Sequence, residues 1–333
     1  MSKVTGAVLV TGGAGYIGGQ TVLSLLDAGF SVCVLDDLST GSIRPFHDQT
    51  SFYEGKVHDQ ALVTKIIEHH NIQTVLHFAG SIQVAESIEN PLKYYENNTE
   101  GSRLLVESAV KAGVKRFVFS STAAVYGTVS GNGMVSEEVL PLPLNPYGWS
   151  KLFTEKLLED VSAASKLQYG ILRYFNVAGA DPRGRHGQFL ENPVHLIGRA
   201  IDAMKGVAPA LQIFGRDLNT KDGTGVRDYI HVSDLADAHV SLVRYMLGNS
   251  GNSLFNLGYG RGHSVKEVVE CLETLSGQPV PHEYVAAREG EAAAVIANVE
   301  RVTSKLDWSP KYKDLRVMIQ SALSWRKLIE NNG

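Results

Sequence analysis

The segment Val8–Gly18 reads VLVTGGAGYIG, in which an apolar run leads into glycines at positions 12, 15 and 18. Glycine at these positions permits a tight turn and lets the backbone come close to a pyrophosphate, and the following helix points its N-terminus at the phosphate charge. A glycine triplet alone is weak evidence, but Gly12, Gly15 and Gly18 stand between a strand pattern and a helical pattern, as a dinucleotide-binding site requires. The segment therefore predicts a Rossmann-type fold.

Short apolar runs alternate with helical patterns through the first half of the chain. This alternation predicts a parallel sheet that is covered by helices on both faces. Helical spacing is present over Gln20–Ala28 and over Asn98–Ala112. The predicted strands of the sheet are Ala7–Thr11, Ser31–Leu35, Thr74–Phe78, Arg116–Ser120 and Tyr169–Phe175.

The composition changes after Asn176, where Gly, Pro and charged residues become frequent. We predict an α/β fold with a doubly wound parallel sheet over residues 1–176, which binds the cofactor. A smaller, mixed α/β C-terminal lobe over residues 177–333, with a helix over Val194–Lys205, is expected to bind the substrate. Some of its segments, such as Val232–Met246 or more broadly residues 232–258, are expected to return to the first domain.

The composition also argues against several classes of function. The 333 residues carry a formal net charge of -4 without a block of like charge, so we expect no nucleic-acid partner. Cys33 and Cys271 cannot form a disulfide framework, and no CxxC or HExxH spacing indicates a metal site. No apolar run is long enough to span a membrane, and Lys3 leads into a short strand rather than a signal segment. We therefore expect a soluble, cytoplasmic protein without a membrane partner.

An acidic residue, Asp36, ends the second predicted strand. Its carboxylate can accept a hydrogen bond from the 2′-hydroxyl of an adenosine ribose, and it would repel a 2′-phosphate. No Arg follows immediately to neutralise such a phosphate. The sequence therefore favours NAD over NADP as the cofactor.

A tyrosine and a lysine four residues apart form the predicted catalytic pair. Tyr147 and Lys151 occur in NPYGWSK and would share one face of a helix. Because a phenol with a pKa of about 10 is a poor base at neutral pH, a nearby ammonium group and a positive nicotinamide would favour the phenolate. The same spacing also fits a surface tyrosine beside a solvated lysine. However, Ser120-Ser121-Thr122 ends a predicted strand, where site residues of parallel sheets gather, so we predict that Thr122 completes the catalytic set.

Further motifs over almost the whole chain resemble those of UDP-glucose 4-epimerases. The GxxGxxG spacing is the form used by extended short-chain dehydrogenases, a group that the chain resembles. DGTGVRDYIHVSDLA is the most diagnostic segment of the set. The matching segments are TGGAGYIG, HFAG at His77–Gly80, SIENPLKYYENN at Ser87–Asn98, FSSTAAVYG, NPYGWSK, LRYFNVAGA, DGTGVRDYIHVSDLADAH and REGE at Arg288–Glu291.

This resemblance implies a mechanism of transient oxidation with NAD. Tyr147 would be base and acid at the sugar 4-hydroxyl, Lys151 would bind the nicotinamide ribose and lower the Tyr147 pKa, and Thr122 would orient the 4-oxygen. Hydride would move from carbon 4 to NAD and return to the other face of the keto sugar, without net redox. The resemblance places further cofactor contacts at Gly12, Gly15, Tyr16, Ile17, Gly18, Asp36, Asp37, Leu38, Ser39, Thr40, Gly41, Lys56, Val57, Phe78, Ala79, Gly80, Asn97 and Phe175.

The resemblance also implies the residues that bind the UDP-sugar. Arg227 and Arg288 suit a diphosphate, because Arg presents a planar fork to phosphate oxygens. Val295 stands where a bulky Tyr accompanies preference for plain hexoses in the family and a small residue accompanies tolerance of N-acetylhexosamines. It also reads as an ordinary core residue of a strand in AAAVIAN. Besides Thr122 and Tyr147, the implied substrate contacts are Asn176, His195, Leu196, Gln212, Phe214, Arg227, Arg288, Glu291 and Val295.

Two positions depart from the family pattern. Lys56 replaces an Asp that would accept from the adenine amino group, and Ile82 replaces a Lys near the cofactor, so we expect weaker NAD retention. Ala123-Ala124 stands where Asp-Glu would mark a sugar 4,6-dehydratase, which argues against dehydration.

Other functions remain open at this point. A nucleotide-sugar dehydrogenase or reductase with net redox would use the same fold and Tyr/Lys pair, and a UDP-pentose 4-epimerase would differ only in its sugar. A dinucleotide-sensing regulator could dispense with Tyr147, so the presence of Tyr147 argues against that class. The resemblance implies a homodimer formed through a helical bundle. The apolar positions that would suit such a bundle, or equally an ordinary core, are Leu104, Leu105, Leu152, Phe153 and Leu157.

Overall fold

Apolar, β-branched runs such as VLVT and VCVLD form the middle of a parallel sheet and are buried. The protein is described from a computed structural model, which covers residues 7–42, 47–129, 131–189, 193–287 and 292–332. In chain order the strands are β1 (Val8–Thr11), β2 (Val32–Asp36), β3 (Ser51–Glu54), β4 (Thr74–His77), β5 (Arg116–Thr122), β6 (Met134–Val135), β7 (Gln168–Tyr174), β8 (Asn176–Ala178), β9 (Leu211–Phe214), β10 (Val226–His231), β11 (Ser253–Leu257), β12 (Gly262–Ser264), β13 (His282–Val285) and β14 (Ala294–Ala297).

Helices connect most of these strands. The α-helices are α1 (Tyr16–Asp27), α2 (Gln60–His69), α3 (Val84–Glu89), α4 (Pro91–Tyr94), α5 (Gly101–Lys111), α6 (Pro146–Ala164), α7 (Leu196–Met204), α8 (Val232–Gly248), α9 (Val265–Ser276), α10 (Glu300–Lys305) and α11 (Leu315–Asn332). A π-helix covers Tyr95–Glu100, and single 3-10 turns cover His47–Gln49 and Ala123–Tyr126. No helix in these described ranges combines the length and the apolar character that crossing a membrane would require.

The main sheet of the described chain has seven parallel strands in the order β11-β7-β5-β4-β1-β2-β3. From β1 the chain moves outward through β2 and β3 on one side and through β4, β5 and β7 on the other. The winding direction therefore reverses between β1 and β4, and ligands of such sheets bind outside the carboxyl ends of the strands at this switch point. The predicted doubly wound parallel sheet is confirmed.

Alternate residues of β1 enter two separate apolar cores. Val10 packs with Val34 and Leu242 on the face that is covered by α1 and α8. Leu9 packs with Leu35 on the opposite face, together with residues of α2 and α5. The sheet is thus buried on both faces, which fixes the edge where its carboxyl ends open to ligands.

The strands after β7 build a smaller, mixed part of the fold. β10 pairs antiparallel with β12 and parallel with β8 and β14, and β6 extends this sheet next to β14. β9 and β13 form a separate parallel pair. Only Phe175 separates β7 from β8, so the main sheet runs directly into the smaller one.

Two later segments lie against the main sheet. Helix α8 packs on α1 and on β7, and β11 pairs with β7 in parallel register from Ser253 opposite Gly170 to Leu257 opposite Tyr174. The division of the chain into domains at residues 176 and 177 remains a prediction.

Several predicted element boundaries differ from the observed ones, and three of these differences lie next to the site. Helix α1 begins at Tyr16 rather than Gln20; the prediction started too late because Gly18 and Gly19, which are part of the helix, are poor helix formers. Strand β5 continues beyond Ser120 and includes Thr122. The helix predicted over Asn98–Ala112 is α-helical only from Gly101, since its first residues belong to the π-helix.

Candidate active site

The glycine-rich turn after β1 is closed by contacts that admit no side chain. Gly12 has φ +69°, and a Cβ atom on it would lie 2.5 Å from the backbone nitrogen of Ala79. A Cβ atom on Gly18 would lie 2.1 Å from the carbonyl oxygen of Gly12. Gly15 caps α1, and within the described chain no side chain caps this first turn. The turn and the open helix N-terminus therefore fit the pyrophosphate of a dinucleotide.

Asp36 links the glycine turn to the loop after β2. Its carboxylate accepts hydrogen bonds from the backbone N–H groups of Ala14 and Leu38, both at 2.9 Å. Burial raises the pKa of Asp36, and these two hydrogen bonds oppose that effect. Because a carboxylate offers about four lone-pair sites, the group can still accept from a ribose hydroxyl.

The remaining predicted adenosine contacts lie around this carboxylate. Ser39 donates to Asp37 at 3.1 Å from its backbone N–H, and a Cβ atom on Gly41 would lie 2.7 Å from the backbone of Ala14. Lys56 is exposed, whereas Val57 is buried. Their contacts with a cofactor, like those of Thr40 and Ile17, remain predictions.

The predicted catalytic residues converge at the carboxyl end of β5. Thr122 ends this strand, and α6 starts beside it with Asn145 as its cap, which accepts from the Gly148 N–H at 2.9 Å. The Thr122 side chain lies close enough to Tyr147 to influence the pKa of its phenol. One turn further along α6, the Lys151 ammonium donates to the carbonyl oxygen of Ser120 at 3.1 Å.

Burial governs the ionisation of this pair. Burial raises the pKa of Tyr147, and the Thr122 side chain opposes that rise. Burial lowers the pKa of Lys151 to about 8, and the charge of Glu155 opposes that fall. We expected Lys151 to lower the pKa of Tyr147, but in the protein alone this lowering is absent. The effect of burial on Tyr147 is larger than that of Thr122, and the Lys151 ammonium is directed at the Ser120 carbonyl.

The π-helix holds the loop after β4 against α6. Asn97 donates to the Ser81 hydroxyl at 3.0 Å. The buried Asn98 side chain accepts from the Ser81 N–H at 2.7 Å and donates to the Ser81 carbonyl and to the Ser150 hydroxyl, both at 3.0 Å. Gly80 has φ +155°, and its missing Cβ leaves room for Asn98. This arrangement places the predicted cofactor loop, residues 78–80, beside the catalytic helix.

Tyr16 and His195 lie together at a small cavity of about 40 Å³. Their rings are 6.1 Å apart, and the Tyr16 hydroxyl donates to the Gly179 carbonyl at 2.6 Å. The Tyr16 hydroxyl is therefore used inside the protein, so a phosphate would meet the backbone of this residue. Burial lowers the pKa of His195 to about 4, which keeps its imidazole neutral at physiological pH.

A cleft of about 220 Å³ between α7 and strands β8, β9 and β10 brings five of the predicted substrate residues together. Arg227 contributes a positive charge, and among the described residues no acidic side chain lines the cleft. Such a cleft suits an anion. The predicted residues on its wall are Asn176, Leu196, Gln212, Phe214 and Arg227.

The other predicted substrate residues lie elsewhere. Arg288 and Glu291 are outside the described residues. Val295 stands opposite Arg227 in the pairing of β14 with β10, and it packs against a cluster that includes Tyr126 and Phe175. Phe175 is buried at the junction of β7 and β8. Because Val295 packs on this cluster and also pairs with the strand of Arg227, it lies between the cleft and the end of β5.

Sequence reasoning missed several residues of the site. Arg199 and Tyr229 also line the cleft. Arg199 follows Leu196 by three residues on α7, so helical spacing could have identified it. Glu155 likewise follows Lys151 by four residues and forms a buried ion pair with Arg173. No local signal in the sequence marks that partner.

Comparisons with known proteins agree with this geometry. The sequence model of the NAD dependent epimerase/dehydratase family matches residues 8–258. The UDP-glucose 4-epimerase of Azospirillum brasilense is 46% identical over 325 residues, which cover 98% of this chain and 93% of that protein.

Solved structures extend the comparison to three dimensions. The UDP-glucose 4-epimerase of Bifidobacterium longum in complex with NAD+ and UDP has a TM-score of 0.92 at 36% identity, covering 98% of this chain and 100% of that one. The UDP-Glc/GlcNAc 4-epimerase of Campylobacter jejuni has a TM-score of 0.85 at 40% identity, covering 97% of this chain and 99% of that one. With a glycine turn, a catalytic strand end and relatives of this kind, the chain belongs to the NAD dependent epimerase/dehydratase family.

Proposed function

We propose that the protein is a UDP-glucose 4-epimerase, an isomerase that interconverts UDP-glucose and UDP-galactose with NAD as a retained cofactor. The observation that carries this proposal is the convergence of Thr122, Tyr147 and Lys151 at the carboxyl end of β5. The relatives named UDP-glucose 4-epimerase, which match nearly the whole chain, support the same activity.

The cofactor would lie across the switch point of the main sheet. The glycine turn with Gly12, Gly15 and Gly18 would hold its pyrophosphate, and Asp36 would hold a ribose of its adenosine half. When bound, NAD supplies the hydride acceptor and donor that makes oxidation at sugar carbon 4 reversible.

The protein's own groups handle the proton. Tyr147 takes the proton of the 4-hydroxyl and later returns it, and Thr122 holds the sugar oxygen within hydrogen-bond reach of that phenol. Lys151 is 4% exposed, so its positive charge lies one helix turn from Tyr147 in a part of the site that excludes water. The proton thus stays inside the site between the two half-reactions.

The cleft beside α7, in which no acidic side chain was found among the described residues, supports firm binding of the nucleotide. Arg227 would pair with the diphosphate, and the polar side chains of Asn176 and Gln212 would contact the rest of the UDP group. Firm binding of UDP leaves the sugar as the mobile part, and the sugar must turn over to present its other face.

Conversion of UDP-galactose by the purified protein tests the proposal. We expect UDP-glucose to accumulate without stoichiometric NADH, because the hydride returns to the sugar. NADH formed in proportion to product would instead identify a dehydrogenase with net redox.

A homodimer in the cytoplasm is the assembly that we propose. Exposed apolar side chains on the helices after β4 and β5 support self-association, since Leu92 and Phe153 expose 78% and 44% of their surface. Leu105, which was predicted to suit the same bundle, is fully buried in the main core instead. Cys33 and Cys271 are unpaired, which is usual in a reducing compartment. The mass in solution, measured by analytical ultracentrifugation, tests the dimer.

A further inference from the structure

We propose that Glu155 is a positioning residue of the epimerisation reaction: held in place by Arg173, its carboxylate fixes the strand end that carries Thr122 and the helix turn that carries Lys151. This inference rests on the proposed function. It assigns a role to a buried charged cluster that includes none of the predicted cofactor or substrate contacts.

Three donors converge on the Glu155 carboxylate. The Arg173 Nε atom donates to both carboxylate oxygens, at 3.0 and 3.1 Å, and its Nη2 atom makes an ion pair with the same group. The Ser121 hydroxyl donates to the carboxylate as well. Glu155 and Arg173 are only 1% and 4% exposed, so neither charge has water as an alternative partner.

The Ser121 contact reaches the catalytic end of β5. Ser121 stands between Ser120, whose carbonyl accepts from the Lys151 ammonium at 3.1 Å, and Thr122, which ends β5 beside Tyr147. Glu155 lies one turn after Lys151 on α6. The Glu155 carboxylate therefore contacts β5, which carries Thr122, and belongs to α6, which carries Tyr147 and Lys151.

The opposite side of the cluster holds the loop after Thr122. The Arg173 guanidinium donates to the Tyr126 hydroxyl at 3.1 Å and lies 4.9 Å from the centre of that ring. The Tyr126 hydroxyl donates to the Asn256 side chain at 2.6 Å, and Asn256 donates to the Val135 carbonyl at 2.9 Å. The strand end is thus fixed from both sides by groups with complete hydrogen bonding, which makes it rigid.

The same carboxylate acts on the charge of Lys151. Loss of the Glu155 charge would lower the pKa of Lys151 further below about 8, because Glu155 is the charge that opposes the effect of burial. The ammonium form exists below that pKa, so its loss on raising the pH would begin earlier. The titratable and charged groups that face this region are His77 on β4, Tyr147 and Glu155 on α6, and Arg173 and Tyr174 on β7.

Three variants test the proposal. Glu155→Gln removes the charge but leaves Arg173 unpaired, so Glu155→Gln/Arg173→Met is measured beside it to avoid an uncompensated buried charge. Ser121→Ala removes only the link to β5. Glu159→Gln is the matched control, because Glu159 is partly exposed on the same helix and pairs with Lys156 at the surface.

We expect the charge variants to keep the KM for UDP-galactose, to lower kcat, and to lose activity on the alkaline side roughly one pH unit earlier than the wild type. Ser121→Ala should lower kcat about 10-fold with unchanged KM and an unchanged alkaline limb, and the control should match the wild type. If the double variant folds and its activity falls at the same alkaline pH as that of the wild type, the proposed effect of Glu155 on the Lys151 charge is wrong. Wild-type kcat in Ser121→Ala would overturn the positioning part even if the other variants fail to fold. Absence of epimerisation in the wild type would instead refute the proposed function itself.

Discussion

Burial shifts the two central ionisable side chains towards their neutral forms. The pKa of Tyr147 is raised and that of Lys151 is lowered to about 8, so their pKa values lie further apart than those of the free groups. Proton exchange with a sugar hydroxyl is easier when the pKa of the catalytic group is near the working pH. In the protein alone burial moves the pKa of Tyr147 away from the working pH, and a bound cation near Tyr147 would lower it again.

Replacement of Tyr147 by Phe tests the proton relay. The ring packs edge-on against Tyr94 with centroids 6.4 Å apart, and Phe preserves this contact. We expect kcat to fall about a hundred- to ten-thousand-fold, because general acid–base assistance has that size. Calorimetric titration with UDP-galactose should give nearly the wild-type Kd. Near-normal epimerisation by Tyr147→Phe would exclude the mechanism.

Arg199 should contribute to substrate binding, although nothing in the sequence motifs singles it out. It lines the cleft with Arg227, and we expect it to pair with the anionic part of the UDP-sugar. A hydrogen bond to a charged group is worth about 1.5–3 kcal/mol, so Arg199→Leu should raise KM about 10-fold or more with little change in kcat. Arg244→Leu, on the exposed side of α8, is the matched control. An unchanged KM in Arg199→Leu would show that this guanidinium points away from the bound substrate.

Lys56 should weaken the retention of NAD. Its side chain is exposed beside the buried Val57, and an ammonium group offers no acceptor to an adenine amino group. Protein that is purified without added NAD should therefore release less than one equivalent of nucleotide on denaturation. Lys56→Asp should increase that amount. Full NAD occupancy of the wild type after extensive dialysis would contradict this expectation.

At the scale of elements, the π-helix explains how the cofactor loop and the catalytic helix keep their relative position. Asn98 is buried within it and contacts Ser81 on the loop and Ser150 on α6. The Ser150 hydroxyl in turn donates to the Tyr147 carbonyl at 2.8 Å. Short π-helical segments frequently occur at functional sites, and here the wider turn directs one amide side chain at two elements.

Asn98→Ala should therefore destabilise the fold as well as the site. The substitution leaves the Ser81 N–H without its acceptor in a part-buried position, which costs about 1–3 kcal/mol of unfolding free energy. Urea unfolding of the cofactor-free protein measures this loss directly. Asn132→Ala removes an exposed turn hydrogen bond and should change stability by less than about 0.5 kcal/mol. Equal stability losses in the two variants would rule out the bridging role of Asn98.

The elements that the sequence predicted well are those with strong local patterns. The strands β1, β2 and β5 follow apolar runs, and the glycine turn follows its motif. The π-helix was missed because its residues, YENNTE, carry no signal that separates it from an α-helix, and it exists through the contacts of Asn98 with distant residues. The start of α1 was missed because the glycines that its close packing requires hide the helical pattern.

At the scale of the whole molecule, the site lies where the main sheet meets the smaller mixed sheet. Thr122 comes from the first, Tyr147 comes from α6, which packs on it, and Arg227 and Val295 come from the second. Family motifs could identify these residues one by one, and the cleft does bring five of the predicted substrate residues together. The ion pair of Glu155 with Arg173 joins two elements through tertiary packing alone, so neither composition nor spacing could predict it.

The meeting of the two sheets also sets the room for the sugar. Val295 on β14 is partly buried and packs against the cluster with Tyr126 and Phe175, next to the strand that carries Arg227. A Tyr at this position would be larger by more heavy atoms than an acetamido group adds over a hydroxyl. The similarity to a UDP-Glc/GlcNAc 4-epimerase supports the same breadth for this chain, and we propose that it also converts N-acetylated UDP-hexoses.

Val295→Tyr should then separate the two substrates. Filling the pocket wall should lower kcat/KM for UDP-N-acetylglucosamine far more than for UDP-galactose, since a change of this kind shifts discrimination by about 1–3 kcal/mol. That range corresponds to a ratio of roughly 5- to 150-fold between the two losses, which parallel assays on one enzyme preparation resolve. Val295→Ile adds a methylene without a ring and serves as the control for simple repacking of the strand. If the wild type does not turn over the N-acetyl sugar at a saturating concentration, the pocket is closed by another residue and the size of Val295 is irrelevant to the choice of sugar.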